Sequence, residues 1–456
     1  MNLLTKIAAT GIFSFSFYIV LAQPIKLITL DPGHFHAALV QKTMYPEIDP
    51  VVHVYSKAGS DLQLHLERIN NYNSRVSGPT SWKEILYTGD DFFKKMIQDK
   101  KGNLVVLAGN NQLKTNYILE SVQNGLHVLS DKPMAIDQSG FKKLKKAFAI
   151  AEQKNVQLYD IMTERFEITS QLQRALSMDS SIFGKLEQGS TTDPSVIKES
   201  VHHFYKFVSG SVLTRPSWYF DDKQQGAGIV DVTTHLVDLI QWSCFPEKTI
   251  DYKKDIQILN AREWTTALTQ DEFKAVTKSE VVPSFLTTSI DQQGNIQVNS
   301  NGEFTFSING THAKVAVTWN YKAPDGTGDT HYSLMRGTKS ELIIRQGAAE
   351  KYKPTLYIQQ RDQDPAFETK LQLAISKINE RFPGISLQKN KSDWQLIVPE
   401  KYNDGHEAHF AQVMAKYLDY LQHNNMPDWE VPNMLSKYYI TTSAKSIASK
   451  KKLNLK

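Results

Sequence analysis

The chain has 456 residues, of which 41% are hydrophobic and 22% charged. That is globular composition with room for two cores, and it excludes a disordered or fibrous polypeptide. The 52 basic side chains barely outnumber the 48 acidic ones and, apart from Lys450-Lys451-Lys452, they are dispersed, which argues against a nucleic-acid partner.

Residues 1–22 differ from the rest. Lys6 supplies a small positive start, Ile7 to Leu21 is uncharged and largely apolar, and Val20-Leu21-Ala22 offers a cleavage site. The expectation is a signal peptide, an exported, periplasmic protein, and no membrane span once the leader is cut. Cys244 is the single cysteine, so no internal disulfide forms, and its apolar neighbours read it as a small hydrophobe rather than a nucleophile.

From residue 23 to about 162 short apolar strands alternate with helical stretches. Strands are expected at Ile25–Leu30, Val51–Tyr55, Leu104–Ala108, His127–Ser130 and Val156–Ile161. Helices are expected at Phe35–Met44, Leu62–Asn70, Asp90–Gln98, Leu113–Gln123 and Gln138–Glu152. This rhythm predicts a doubly wound parallel sheet, which binds ligands at the carboxyl ends of its strands. Residues 163–456 read as an α+β domain. A helix at Glu167–Met178 leads into longer strands at Phe304–Ile308, Ala313–Tyr321, His331–Arg336 and Glu341–Arg345, set in a largely antiparallel sheet. Residues 362–405 show no clear periodicity, and helices at Glu407–His423 and Asn433–Ser449 close the chain.

Three segments carry candidate chemistry. The first is the turn Leu30-Asp31-Pro32-Gly33-His34-Phe35-His36, where a dinucleotide-binding fold would place its glycine-rich phosphate cradle. Only Gly33 matches a glycine of that cradle; Asp31 brings negative charge and His36 bulk. The second is the strand end Ser130-Asp131-Lys132-Pro133, where the Lys132 ammonium could stabilise a developing alkoxide. The third is Gly226-Ala227-Gly228 followed by Asp231, His235 and Asp238 at helical spacing. On a helix these three would share a face, with Asp231 orienting His235 and His235 accepting a hydroxyl proton. The glycines suggest close backbone approach to a ligand. His202 and His203 are adjacent on a strand, so at most one of them should face the substrate. His34, His36, His202 and His203 show no metal-ligand spacing, and no metal is expected.

The order of Asp131-Lys132-Pro133 and, about a hundred residues on, Gly226-x-Gly228-x-x-Asp231-x-x-x-His235 resembles the Gfo/Idh/MocA oxidoreductases. The segment Arg215-Pro216-Ser217-Trp218-Tyr219-Phe220 is similar to the one that precedes that family's glycine turn, and with the exported start and the Leu30–His36 turn the whole resembles a subgroup with its own C-terminal domain. The resemblance implies a Rossmann-like first domain and a hydride transferred between NAD or NADP and a hydroxyl-bearing carbon of a sugar or glycoside. It implies Lys132, Asp231 and His235 as catalytic residues, and Gly33, His34, Phe35, Ser56, Asn110, Asn111, Asp131, Lys132 and Pro133 at the cofactor. His203, Trp218 and Tyr219 are expected at the substrate. No acidic residue stands at Ser56-Lys57 to choose NAD over NADP. The departure at Gly33 leaves the cofactor tightly held, altered in pose or absent. Two other readings use the same residues: a glycosidase or lyase that oxidises transiently with retained NAD, and a cofactor-free sugar-binding relative. By analogy, an open sheet face in the second domain would pair subunits into a homo-oligomer.

Overall fold

A computed structural model of the chain describes residues 24–208, 211–325 and 327–454. The expected leader at residues 1–22 lies outside them. Among the described residues no helix is long and apolar enough to cross a membrane.

The first unit is a six-stranded sheet. Its strands are β1 (Leu27–Leu30), β2 (Val51–Tyr55), β3 (Lys83–Tyr87), β4 (Leu104–Leu107), β5 (His127–Ser130) and β6 (Leu158–Asp160). They run parallel in the order β3-β2-β1-β4-β5-β6. The helices between them are α1 (His36–Val40), α2 (Ser60–Ser74), α3 (Phe92–Asp99), α4 (Lys114–Gln123) and α5 (Gln138–Lys154). β1 and β4 are buried at every position, as uniformly apolar strands covered on both faces must be. β3 was not expected. It is an edge strand with Ile85 and Leu86 exposed, so it lacks the burial pattern that marks a strand in sequence.

The second unit carries α6 (Ile168–Met178), α7 (Thr233–Cys244), α8 (Gln270–Thr277) and α9 (Phe367–Arg381) against a larger sheet. Its strands in chain order begin with β7 (Val196–Tyr205), the short hairpin β8 (Phe207–Val208) and β9 (Ser211–Val212), β10 (Ile256–Leu268) and β11 (Ile296–Ile308). β12 (Thr311–Lys322), β13 (Thr330–Arg336), β14 (Ser340–Gln346), β15 (Thr355–Gln360), β16 (Ser386–Lys389) and β17 (Trp394–Ile397) follow. Nine of them form one sheet, β10-β11-β12-β7-β13-β14-β15-β17-β16, antiparallel throughout except where β12 meets β7. The unplaced stretch 362–405 thus holds α9, β16 and β17. Of central β7 only the part at His202 and His203 was expected as strand, because a lysine sits in its interior. Lys198 is buried, and its ammonium donates to Ser333 Oγ at 2.7 Å and Gln173 Oε1 at 3.2 Å. Burial lowers its pKa to about 8. Cys244 is half-buried against the core of this unit, and burial raises its thiol to about 11.

The change of rhythm near residue 162 coincides with the end of β6, but the chain does not stay in the second unit. Phe410, Val413, Met414, Tyr417 and Leu418 of α10 (His406–His423) belong to the core of the first. α11 (Glu430–Asn454) serves both: Met434 and Tyr438 enter the first core, while Ile440, Ala444 and Ala448 enter the second. Tyr438 and Ile440 lie about 200° apart around the helix, so each face finds its own partner.

A buried charge cluster joins these parts. Arg165 grips Asp238 of α7 with two hydrogen bonds (2.7 and 2.8 Å) and reaches Glu430 at 2.8 Å. Lys437 of α11 lies 2.7 Å from both Asp238 and Asp160, and Asp160 also accepts from the Tyr438 hydroxyl at 2.8 Å. Burial alone would raise the Asp238 carboxyl, but Arg165 and Lys437 outweigh it and hold it well below the usual carboxylate range. Removing one member of such a group leaves its partners buried and unpaired, which costs about 3–5 kcal/mol. Asp238→Asn should therefore lower the unfolding free energy by about that much in urea titrations; a change below about 1 kcal/mol would show that the cluster is not coupled to folding.

Candidate active site

Lys132 follows β5, and its strand end is pinned by the hydrogen bond from Asp131 N to Leu107 O (2.7 Å). The Lys132 ammonium is 2.6 Å from Asp231 Oδ1, so the two halves of the chain meet at this pair. Burial works against the charge on Lys132, yet Asp231 and Asp131 outweigh it, and the ammonium is held above its ordinary pKa.

The expected single helix face is not formed. A 3-10 turn at Gly228–Val230 places Asp231 ahead of α7, off its face, and its carboxylate turns to Lys132 rather than to His235. His235 Nδ1 is buried and has no hydrogen-bond partner among the described residues. Burial, reinforced by the charge of Lys132, lowers the imidazole to about 4, so it is neutral at pH 7. Asp238, one turn on, belongs to the charge cluster behind the site. The glycines serve packing: a Cβ on Gly228 would fall 1.6 Å from the Ser300 carbonyl of β11, so the close approach is to a strand and not to a ligand.

Lys132, Asp231 and His235 line one cavity of about 1320 Å³ between the two sheets. His34, Phe35, His36 and Tyr219 line it as well, as do His202 and His203. Both of these histidines face it, contrary to the strand rule. The burial alternation of β7 breaks after Ser200, and at this irregular end both rings reach Asp329: His203 Nδ1 at 2.8 Å and His202 Nδ1 at 3.4 Å. Asp329, Lys206, Glu164 and His406 also line the cavity without having been singled out, and so does Arg215, which opens the family-like segment but was given no role. They come from separate loops and helix ends, with no spacing in sequence to link them. Trp218 does not reach the cavity: its indole donates to Asp61 Oδ2 at 2.7 Å.

The crevice at the carboxyl ends of β1 and β4, where the implied dinucleotide would lie, is taken up by the chain's own groups. Asp31 adopts φ +50°, and the amides of Gly33 and His34 both donate to Ala108 O (3.2 and 3.0 Å) instead of pointing at a phosphate. A Cβ on Gly33 would fall 2.9 Å from Asp61 Oδ2 and 3.1 Å from the Trp218 ring, so the glycine is covered by this bonded pair. Asn110 Nδ2 donates to Gln224 Oε1 (2.9 Å), and Asn111 Nδ2 to Gln225 O (2.7 Å). Ser56 and Pro133 are buried. Of the expected cofactor contacts, His34, Phe35 and Lys132 face the cavity, whereas Gly33, Ser56, Asn110, Asn111, Asp131 and Pro133 are absent from its wall. Burial and the nearby Asp61 push the Asp31 carboxyl up to about 6, against a hydrogen bond from Tyr117 that lowers it. Two carboxyl groups and an indole stand where a pyrophosphate needs donors. These residues do not fit a dinucleotide laid across this turn.

Comparison with known proteins adds the following. Residues 34–160 match a family described as "Oxidoreductase family, NAD-binding Rossmann fold", and residues 172–449 match "Putative oxidoreductase C terminal domain". The crystal structure of a putative oxidoreductase from Parabacteroides merdae is 51% identical over 94% of this chain and 98% of that one, with a TM-score of 0.92. Levoglucosan dehydrogenase, solved with NADH and levoglucosan, shares the fold at 12% identity and a TM-score of 0.57, covering 94% of this chain and 98% of its own. KijD10, a 3-ketoreductase from Actinomadura kijaniata solved with NADP and TDP-benzene, does so at 12% and 0.56, covering 93% and 98%. No curated protein matches the chain.

The buried imidazoles have a consequence for stability. His235 and His331 are lowered to about 4, His65 to about 3, and His34 and His36 well below their ordinary value, in each case first by burial. Unfolding frees them to bind protons below about 6.5, so stability is complete above that pH and is lost as pH falls toward 4. The raised carboxyls of Asp31, Asp61, Glu84 and Glu167 oppose this but are fewer. The melting temperature should fall steadily from pH 7 to pH 4.5. In His235→Asn the slope should flatten by up to about 1.4 kcal/mol per pH unit; an unchanged slope would mean the imidazole is not neutral in the fold.

Proposed function

Since the chain belongs to the Gfo/Idh/MocA oxidoreductases that carry their own C-terminal domain, we propose that its cavity is the active site of an enzyme acting on a hydroxyl-bearing carbon of a sugar or glycoside. One observation carries this reading: a charged ammonium, Lys132 after β5 of the first unit, and a neutral imidazole, His235 on α7 of the second, reach the wall of the same cavity. A neutral imidazole with a free ring nitrogen accepts a proton from a hydroxyl, and a fixed ammonium stabilises the oxygen that loses it. Asp231 holds the ammonium in place and keeps it charged; it does not orient the base. The polar wall of His202, His203, Lys206 and Asp329 offers donors and acceptors suited to several hydroxyl groups. Levoglucosan dehydrogenase, which shares the fold, supports the substrate class, and the 3-ketoreductase supports redox chemistry at a hydroxyl-bearing carbon. The apolar leader supports an exported, periplasmic protein.

The filled crevice beside Gly33 favours a second reading, a relative that binds a sugar in this cavity without a dinucleotide. The two separate in one set of assays. Wild type, Lys132→Ala and His235→Ala are incubated with a panel of glycosides and keto-glycosides, with and without NAD and NADP, and products are read by mass spectrometry. Conversion by wild type and a loss of about 10²–10⁴-fold in either variant are expected. Equal conversion by all three proteins removes the assignment, and saturable sugar binding without conversion selects the second reading. The acid limb of the wild-type rate should fall near pH 4, where His235 titrates, and not near 6.5.

A further inference from the structure

The cavity contains a group that the acid–base reading does not use. His34 and His36, on the turn after β1, converge on Asp131, at the end of β5. Asp131 Oδ2 is 2.9 Å from His36 Nδ1 and 3.6 Å from His34 Nδ1, and the three ligand atoms all lie within 4.8 Å of one another. The two imidazoles meet edge to face with centroids 4.0 Å apart. A hydrogen bond between His36 and Asp131 accounts for the first distance. The second imidazole is too far from that oxygen for such a bond, and its Nδ1 accepts only a long hydrogen bond from His36 N (3.4 Å), which a metal–nitrogen bond would replace.

We propose that His34, His36 and Asp131 form a binding site for a divalent first-row transition-metal ion at the edge of the cavity. Metal–ligand bonds of about 2.0–2.2 Å place neighbouring ligand atoms ~3–3.5 Å apart, which the two measured distances bracket. Two imidazoles and one carboxylate suit zinc, cobalt, manganese or iron(II), and not magnesium or calcium, which take oxygen ligands. Asp131 is held by its own backbone: its N–H donates to Leu107 O (2.7 Å), and its carbonyl accepts from Lys114 Nζ (3.2 Å). The neighbouring Lys132 charge is balanced by Asp231 at 2.6 Å. Three protein ligands leave coordination positions open, and His34 and His36 line the cavity, so those positions can take oxygen atoms of a bound molecule. That last use rests on the sugar reading; the metal site does not.

The test needs no turnover. The full chain, stripped with chelator, is titrated with Zn²⁺ and with Co²⁺ by calorimetry and by the visible absorption of Co²⁺, and metal content is measured after desalting. About one ion per chain with a cobalt spectrum of mixed nitrogen and oxygen ligation is expected. Affinity should fall at least about 100-fold in His36→Ala and in Asp131→Asn, and should not change in His423→Ala, an exposed histidine at the end of α10. Absence of stoichiometric binding by wild type overturns the proposal. So does binding that survives both substitutions, which would place the ion elsewhere. If the variants misfold, the wild-type stoichiometry and cobalt spectrum still decide, and neither depends on whether a sugar is converted.

Discussion

Asp238 holds two cations at once, and much of the molecule is arranged around that fact. A carboxylate with Arg165 on one side and Lys437 on the other, all out of water, is tolerable only if every partner is in place. Asp238 stands on α7 and its partners come from the turn after β6 and from α11, so satisfying one charge fixes the relation of the two sheets. His235 lies one helical turn before Asp238 and inherits its position from it. Glu164, beside Arg165, is set on the cavity wall in the same way. Such clusters add little net stability compared with an apolar core of equal size, but they discriminate against misaligned packing, because a slip of one turn would strand a charge.

The parallel sheet was readable because its central strands are uniformly apolar and its helices periodic. Val51–Tyr55 and His127–Ser130 end where the sequence says they should. β3 was not readable, and β7 only at His202 and His203, for opposite reasons. One is an edge with too little burial to show a pattern, and the other buries a lysine that disguises a central strand. The convergence of Lys132, Asp231 and His235 was legible only through resemblance, since nothing in spacing says that residues a hundred apart meet. The internal geometry of that group was misjudged. Helical spacing was assumed to begin at Asp231, whereas the glycine turn before α7 packs so tightly on β11 that the helix starts two residues later. The places of Asp329 and His406 on the cavity wall had no local signal, because each is defined by what lies across a cavity.

The turn after β1 shows how a familiar fold can be altered with few changes. In a phosphate-binding turn the amides face outward and the helix behind them lends its dipole. Here Asp31 in a left-handed conformation turns those amides onto Ala108, and Trp218 reaches across from the second unit to Asp61. The consequence is felt on the other side of the turn. His34 and His36 are swung toward the cavity and toward Asp131, so the groups lost to one kind of ligand become available to another.

The path of the last fifty residues bears on how the protein is made. α10 inserts Phe410, Met414 and Tyr417 into the core built by residues 27–161, and α11 adds Tyr438. During synthesis the first sheet therefore emerges long before the side chains that complete it, and it must wait, unfinished and sticky, for nearly the whole chain. A nascent protein of this design profits from being kept extended until its final helices arrive, and a version cut short ahead of them would be lost to aggregation and not merely weakened.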